Sequence, residues 1–391
     1  MVTSPDSVIY PQTPYGVLGQ DQNAFYGNDG VPRLPLQAPM LKWRKAVANV
    51  RTGVGRGNLL FIGDSTTMGA GAGTGGSSNL NAAFPRSFPA RVASVLNSTF
   101  VATSFNSIWG SQNANALVTY ATYDTRTVFG TGWAMSGGGT LGANFIRFTS
   151  GGGVATFAFT PTASFDTITI YYYAAAGQGT FTTDVDGGAS LGTTNTATGS
   201  GILSTSFTVS AGTHTINLNA QNNGSLFISG IVPSLSTTPA IDVISAGWYG
   251  AIAGTYNGAG SFGPLTALRA MAPDCTVINL TINDSNAGTV LATYQTNLAA
   301  IITAAQESGD VVLMIGAPSG TAAATNGTLG QYVSVVYDLA ARYSCGLADM
   351  QRRWGSYAAI QPTFPYYDEL HPGNLAYADE GQAVASALLF Q

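Results

Sequence analysis

The chain holds two histidines, His214 and His371, and histidine is the commonest general base at neutral pH. His214 lies in Thr213-His214-Thr215, within alternating β-type sequence, and reads as a surface or turn-flanking residue. His371 lies in Asp368-Glu369-Leu370-His371-Pro372-Gly373, three residues after a carboxylate. That spacing lets one turn present both groups, with Asp368 accepting from the imidazole N–H and fixing its tautomer. Glu369 competes for the role, but in a single helical turn its side chain points elsewhere. The group such a pair would serve is Ser65, in Leu59-Leu60-Phe61-Ile62-Gly63-Asp64-Ser65-Thr66-Thr67-Met68-Gly69, an apolar run that ends abruptly in Gly-Asp-Ser. A serine hydroxyl is a weak nucleophile until a base takes its proton. If Ser65 is a nucleophile, His371 is nearly forced as its base. Each piece also has a plain structural reading: Gly-Asp-Ser as a turn with a helix N-cap, and Asp-x-x-His-Pro as a cap on the last helix.

Acyl transfer through a serine also needs donors for the oxyanion. Three strand ends offer them: the backbone N–H of Ser65, the backbone N–H of Gly250, and the side-chain amide of Asn283. Two distant histidines and no Cys/His cluster make no standard zinc site, so no metal or other cofactor is implied.

The elements that must carry these residues follow from hydrophobic period. Leu59–Ile62 has no polar alternation, as in a strand covered on both faces of a parallel sheet. Beyond it the pattern predicts a helix over 86–97, strands at 241–246, 275–280, 311–315 and 346–350, and helices over 265–271, 290–308, 330–343 and 381–390. Repeated strand–helix alternation implies a mostly parallel sheet with helices on both faces. Residues 123–235 read differently, as short alternating strands rich in Thr, Ile, Phe and Tyr between Gly-rich turns, the pattern of a β-sandwich. Residues 1–38, rich in Pro, Gly, Tyr, Asn and Gln, read as an irregular arm.

Bulk properties narrow the partners. With 8% charged residues, a net charge of −5 and no basic cluster beyond Lys42-Trp43-Arg44-Lys45, nucleic acid is not expected. No apolar run is long enough for a membrane span. Met1-Val2-Thr3-Ser4-Pro5-Asp6 lacks the features of a signal peptide. An extracellular or virion-associated location is still expected, with the cytoplasm as the alternative. Cys275 and Cys345 read as free, buried thiols rather than a disulfide framework.

Taken together, Gly63-Asp64-Ser65, Ala246-Gly247-Trp248-Tyr249-Gly250, Ile282-Asn283-Asp284 and Asp368-Glu369-Leu370-His371-Pro372 resemble, in order, the four blocks of the SGNH hydrolases, the GDSL lipase/esterase family. The resemblance covers about 40–122 and 236–391. It implies a flavodoxin-like three-layer α/β/α fold formed by 39–122 and 236–391, with an inserted antiparallel, jelly-roll-like β-sandwich at 123–235. Family members acting on polysaccharides sometimes carry a carbohydrate-binding-like module of that kind. Two departures stand out: Thr281 replaces the glycine usual two residues before the block asparagine, and Gly110, in Ser107-Ile108-Trp109-Gly110, rivals Gly250.

The expected function is a serine esterase using Ser65, His371 and Asp368, with Ser65, Gly250 and Asn283 at the oxyanion. Small residues after Gly69 and the aromatics Trp248 and Tyr249 suit a short acyl group on a sugar, so acetyl esters of a polysaccharide are the expected substrate. A lipase or thioesterase of the same fold, and a non-catalytic glycan-binding or virion protein, are the alternatives.

Overall fold

A computed structural model of the protein describes residues 40–110, 119–151 and 153–390, so the expected arm at 1–38 lies outside the described residues. Six strands make the parallel sheet: β1 (Gly57–Gly63), β2 (Thr103–Ser104), β3 (Ile241–Gly247), β4 (Cys275–Asn279), β5 (Asp310–Ile315) and β6 (Gly346–Asp349). Their spatial order is β6-β5-β4-β1-β3-β2, with every neighbouring pair parallel. Without the two-residue edge strand β2, this is the flavodoxin-like order, in which the first strand sits beside the crevice where the winding reverses.

The unbroken apolar character of β1 has a direct structural cause. Leu59 and Phe61 enter a core shared with helices Leu41–Arg51, Phe88–Ser98 and Asn374–Phe390, whereas Leu60 and Ile62 enter one shared with Pro264–Met271, Leu291–Gln306 and Thr328–Tyr343. Both faces are therefore dry, giving three layers.

The last helix starts at Asn374, seven residues before the expected 381, and runs through Gly381. A β-carbon at Gly381 would lie 2.3 Å from Arg91 Cβ. The glycine is therefore there to let the terminal helix and Phe88–Ser98 pack closely, and it does not mark a helix start.

Between residues 127 and 234 the strands form two antiparallel sheets around a separate core that includes Phe148, Phe157, Phe165, Ile170, Phe181 and Leu218. The segment 100–109 holds two short strands. Thr103–Ser104 pairs with β3 at the edge of the parallel sheet, and Ile108–Trp109 pairs with Gly230 and Ile231 in an antiparallel one. Trp109 anchors the seam between the two parts. It is 2% exposed, its Nε1–H donates to Leu141 O at 2.7 Å, and its ring lies on Gly230, where a β-carbon would come within 2.1 Å of it.

Removing that ring leaves a cavity and an orphaned Leu141 carbonyl. Trp109→Ala should lower stability by about 3–5 kcal/mol, read as a shift of the urea midpoint of the full chain, with far-UV circular dichroism still showing α/β content before the transition.

Candidate active site

Strand β1 delivers the Ser65 turn to the carboxyl end of the sheet. At Gly63 the chain folds back so tightly that a β-carbon would lie 2.0 Å from Thr67 Oγ1. Asp64 is extended and caps the short helix Ser65–Met68, its Oδ1 accepting from Thr66 N–H and Thr66 Oγ1–H, each at 2.8 Å. Asp64 is thus a buried cap that holds the turn, as a negative charge at a helix N-terminus should. Ser65 is the first residue of that helix and is 2% exposed.

The closing segment meets it from the other side. Tyr366 bridges to Pro372 and Tyr367 N–H donates to His371 O, which makes a tight loop before the terminal helix. Inside it Asp368 Oδ1 accepts from the N–H groups of Leu370 and His371, at 2.8 and 2.7 Å, while Oδ2 lies 2.8 Å from His371 Nδ1. The other ring nitrogen, Nε2, is 2.9 Å from Ser65 Oγ. The chain Asp368–His371–Ser65 is therefore continuous, joining residues 306 positions apart. Glu369 takes no part: it is exposed, and only its backbone carbonyl is engaged, by Gly320 N–H. His214 lies elsewhere, in a turn between two strands, held by Asp186 and Ser210 O.

Two loops flank the imidazole. The Tyr249 ring stacks on His371 with centroids 5.8 Å apart, and its hydroxyl bonds Ser78 Oγ at 2.8 Å. The glycine-rich loop after Met68 presses on the same segment: at Gly71, with φ +94°, a β-carbon would sit 2.4 Å from Pro372 O and 3.1 Å from His371 Cβ. Trp248 is engaged differently, packing edge-on against Tyr256 with the core of one face.

The donor positions divide in the same way. Gly110 N–H is taken by Ser229 O, and the residue is wedged against Asn144 O in the seam, so its amide is not available to a substrate. Gly250 is exposed, has φ +73° and follows directly on Tyr249. Asn283 lies in the first turn of helix Ile282–Ala287 and gives one N–H to Ala251 O at 3.0 Å. The next residue, Asp284, accepts from Ala253 N–H at 2.7 Å. Asn283 and Asp284 therefore clamp the loop that carries Gly250. One Asn283 N–H is spent on that clamp, and an amide nitrogen carries two. Thr281 has φ −150° and so lies outside the left-handed region that favours glycine.

Sequence reasoning missed two supports. Asn279, buried at the end of β4, donates to Thr66 Oγ1 at 2.9 Å, and the single O–H of Tyr256 is shared between Ala246 O at 2.5 Å and Gly63 O at 2.9 Å. A strand ending in a polar residue was the available signal for Asn279. Tyr256 had none.

The model of the GDSL-like Lipase/Acylhydrolase family matches residues 211–378, which hold Asn283, Asp368 and His371 but stop short of Ser65. A solved peptidoglycan O-acetylesterase aligns over 90% of this chain and 96% of its own, at 17% identity and a TM-score of 0.66, a likeness of fold. A family 2 carbohydrate esterase with a carbohydrate-binding domain from Corynascus thermopiles is 14% identical over 62% of this chain and 95% of its own, with a TM-score of 0.30. A family two carbohydrate esterase from Cellvibrio japonicus is 10% identical over 72% and 96%, with a TM-score of 0.29. No curated protein sequence matches the chain.

Burial alone would raise the Asp368 carboxyl, but the His371 ring and the N–H groups of His371 and Leu370 outweigh it and hold the carboxyl at about 2. A folded pKa below the unfolded value of roughly 3.9 adds stability that is fully present above pH 4 and lost as pH falls toward 2. The gap in urea midpoint between the native chain and Asp368→Asn should therefore be widest at neutral pH and close between about pH 4 and pH 2.

Proposed function

We propose that the chain, whose residues 211–378 match the model of the GDSL-like Lipase/Acylhydrolase family, is a hydrolase of carboxylic esters that removes acetyl groups from an O-acetylated polysaccharide through an acyl-enzyme on Ser65. The observation that carries the reading is the unbroken hydrogen-bonded chain from Asp368 through His371 to Ser65 Oγ. Ser65 Oγ attacks the ester carbonyl as His371 Nε2 takes its proton, and the imidazolium is held by Asp368 Oδ2 at Nδ1. The same proton then goes to the leaving alcohol. Water, deprotonated by His371, attacks the acyl carbon and frees acetate and Ser65.

The oxyanion that forms in each half is assigned to Ser65 N–H, Gly250 N–H and the second N–H of Asn283, which Ala251 holds in orientation through the first. Two features support a short acyl group on a sugar. Ser65 is nearly closed off from solvent. The neighbour alike over nine-tenths of this chain is a peptidoglycan O-acetylesterase.

Acetate release from a panel of O-acetylated polysaccharides, and hydrolysis of p-nitrophenyl acetate against octanoate and palmitate, test the reading. Acetate should be the preferred acyl group, and Ser65→Ala and His371→Ala should each lower kcat by about four orders of magnitude or more. A preference for long chains would assign the protein to lipase or thioesterase chemistry instead. Activity untouched by both substitutions would leave a non-catalytic glycan-binding protein.

A further inference from the structure

The bond from His371 Nε2 to Ser65 Oγ is the one that acyl transfer consumes. Once Ser65 Oγ is bonded to the acyl carbon, Asp368 at Nδ1 is the hydrogen-bond partner left to the imidazole. One hydrogen bond does not fix a ring whose χ2 torsion is broad. Yet Nε2 must stay in place to protonate the leaving alcohol and then to deprotonate water. A contact on the face of the ring can hold it there. Tyr249 makes that contact, with ring centroids 5.8 Å apart and planes inclined by 28°.

The tyrosine is itself pinned. Its hydroxyl lies 2.8 Å from Ser78 Oγ, and Ser78 stands at φ +51°, in the left-handed region that a serine rarely adopts. Strain of that kind persists only where surrounding bonds over-determine it. Here Gly71 N–H donates to Ser78 O at 2.9 Å and Gly73 N–H to Asn79 O at 2.8 Å, while Asn79 Nδ2 donates to Gly71 O and Gly73 O at 3.0 and 2.8 Å. The same loop lies against His371 at Gly71. One tied loop therefore holds the base twice, directly at Gly71 and through Tyr249 at Ser78. Tyr249 also shares its peptide unit with the Gly250 N–H, so the pin on its ring steadies the amide assigned to the oxyanion.

We propose that Tyr249 is a positioning residue for the general base: its ring, pinned by Ser78, keeps the His371 imidazole in place after Ser65 has been acylated and stabilises the imidazolium through its electron-rich face. A cation stacked on an aromatic face gains from the ring quadrupole, and a neutral imidazole gains less. Tyr249 thus serves the base rather than a sugar ring, a role that rests on Ser65 being the nucleophile. The charged groups facing the imidazole are Asp368 at Nδ1 and Asp64, the residue before Ser65, and no substitution of Tyr249 or Ser78 removes either.

The chain holds two histidines, so histidine-labelled full chain gives few imidazole signals in NMR spectra. In Tyr249→Leu, which keeps an apolar cover but no aromatic face, the His371 C–H signals should move downfield and their titration midpoint should fall. Signals and midpoint that stay put overturn the proposal, whatever the nucleophile is. With p-nitrophenyl acetate, Tyr249→Leu should lose about tenfold or more in kcat with KM within about threefold, and the acid limb of kcat/KM should move to lower pH. A raised KM at unchanged kcat overturns the proposal and makes Tyr249 a substrate contact. Tyr249→Phe keeps the ring and loses the pin. It and Ser78→Ala should each lower kcat by about threefold, and the double variant should be no slower than either single one. Losses that multiply in the double variant overturn the pinning by Ser78. Should Tyr249→Leu fail to fold, the cycle of Tyr249→Phe and Ser78→Ala decides the matter, and unchanged kcat in all three variants overturns the proposal. Ser65→Ala separates the two readings: if it abolishes activity while Tyr249→Leu changes neither kcat nor the His371 signals, the role of Tyr249 alone has failed.

Discussion

A sharp turn that lifts a serine out of a buried strand leaves backbone carbonyls stranded in an apolar interior, and each such orphan costs about 1–3 kcal/mol. Here the cost is met by tyrosines. Tyr256 OH covers Gly63 O, Tyr123 OH covers Met68 O at 3.0 Å, and Tyr377 OH covers Ala70 O at 2.7 Å. The three come from different regions: the loop after β3, the short helix that precedes the antiparallel sheets, and the terminal helix. The geometry of Ser65 is therefore not a local property of Gly-Asp-Ser. It depends on the docking of three remote segments, which couples Ser65 to the packing of the whole chain.

The carboxyl groups around the site show how environment separates roles that chemistry alone does not. Asp368 is partly open to solvent and accepts three hydrogen bonds, from two backbone N–H groups and an imidazole, so it is held low and ionised. Glu380 is fully enclosed with no described donor, and burial pushes its carboxyl well up. Asp64 lies between these extremes, buried but given donors by Thr66. Asp284, raised by burial while accepting from Ala253 N–H, does for the Gly250 loop what Asp64 does for Ser65. Carboxylates serve here as fasteners for loops as much as reactive groups, which fits a chain with so few charged residues overall.

What was legible in the sequence and what was not divides along the same physical line. Ser65, Asp368 and His371 could be named because histidine is scarce and because the i, i+3 spacing of Asp368 and His371 is a local geometric statement. The two-faced burial of β1 was equally readable, since Leu59–Ile62 has no polar alternation. The strands Thr127–Phe129, Trp133–Thr140 and Gly192–Asn195 escaped notice because Gly, Ser, Thr and Asn weaken the period, and their pairing partners decide their conformation. Trp248 and Tyr249 looked alike as neighbouring aromatics, yet they diverge because side chains alternate at a strand end: Tyr249 meets His371, and Trp248 turns to Tyr256.

The choice between Gly110 and Gly250 shows why such ambiguities cannot be settled from motifs. Both are glycines following an aromatic near a strand end, and the same local words describe both. What separates them is whether a partner 119 residues further along the chain consumes the amide: Ser229 O takes Gly110 N–H, because the chain crosses there from the parallel sheet into the antiparallel one. The hydrogen bond that takes the Gly110 N–H is thus the same one that stitches the parallel sheet to the antiparallel one, whereas Gly250 lies in a loop that Asn283 and Asp284 hold in place.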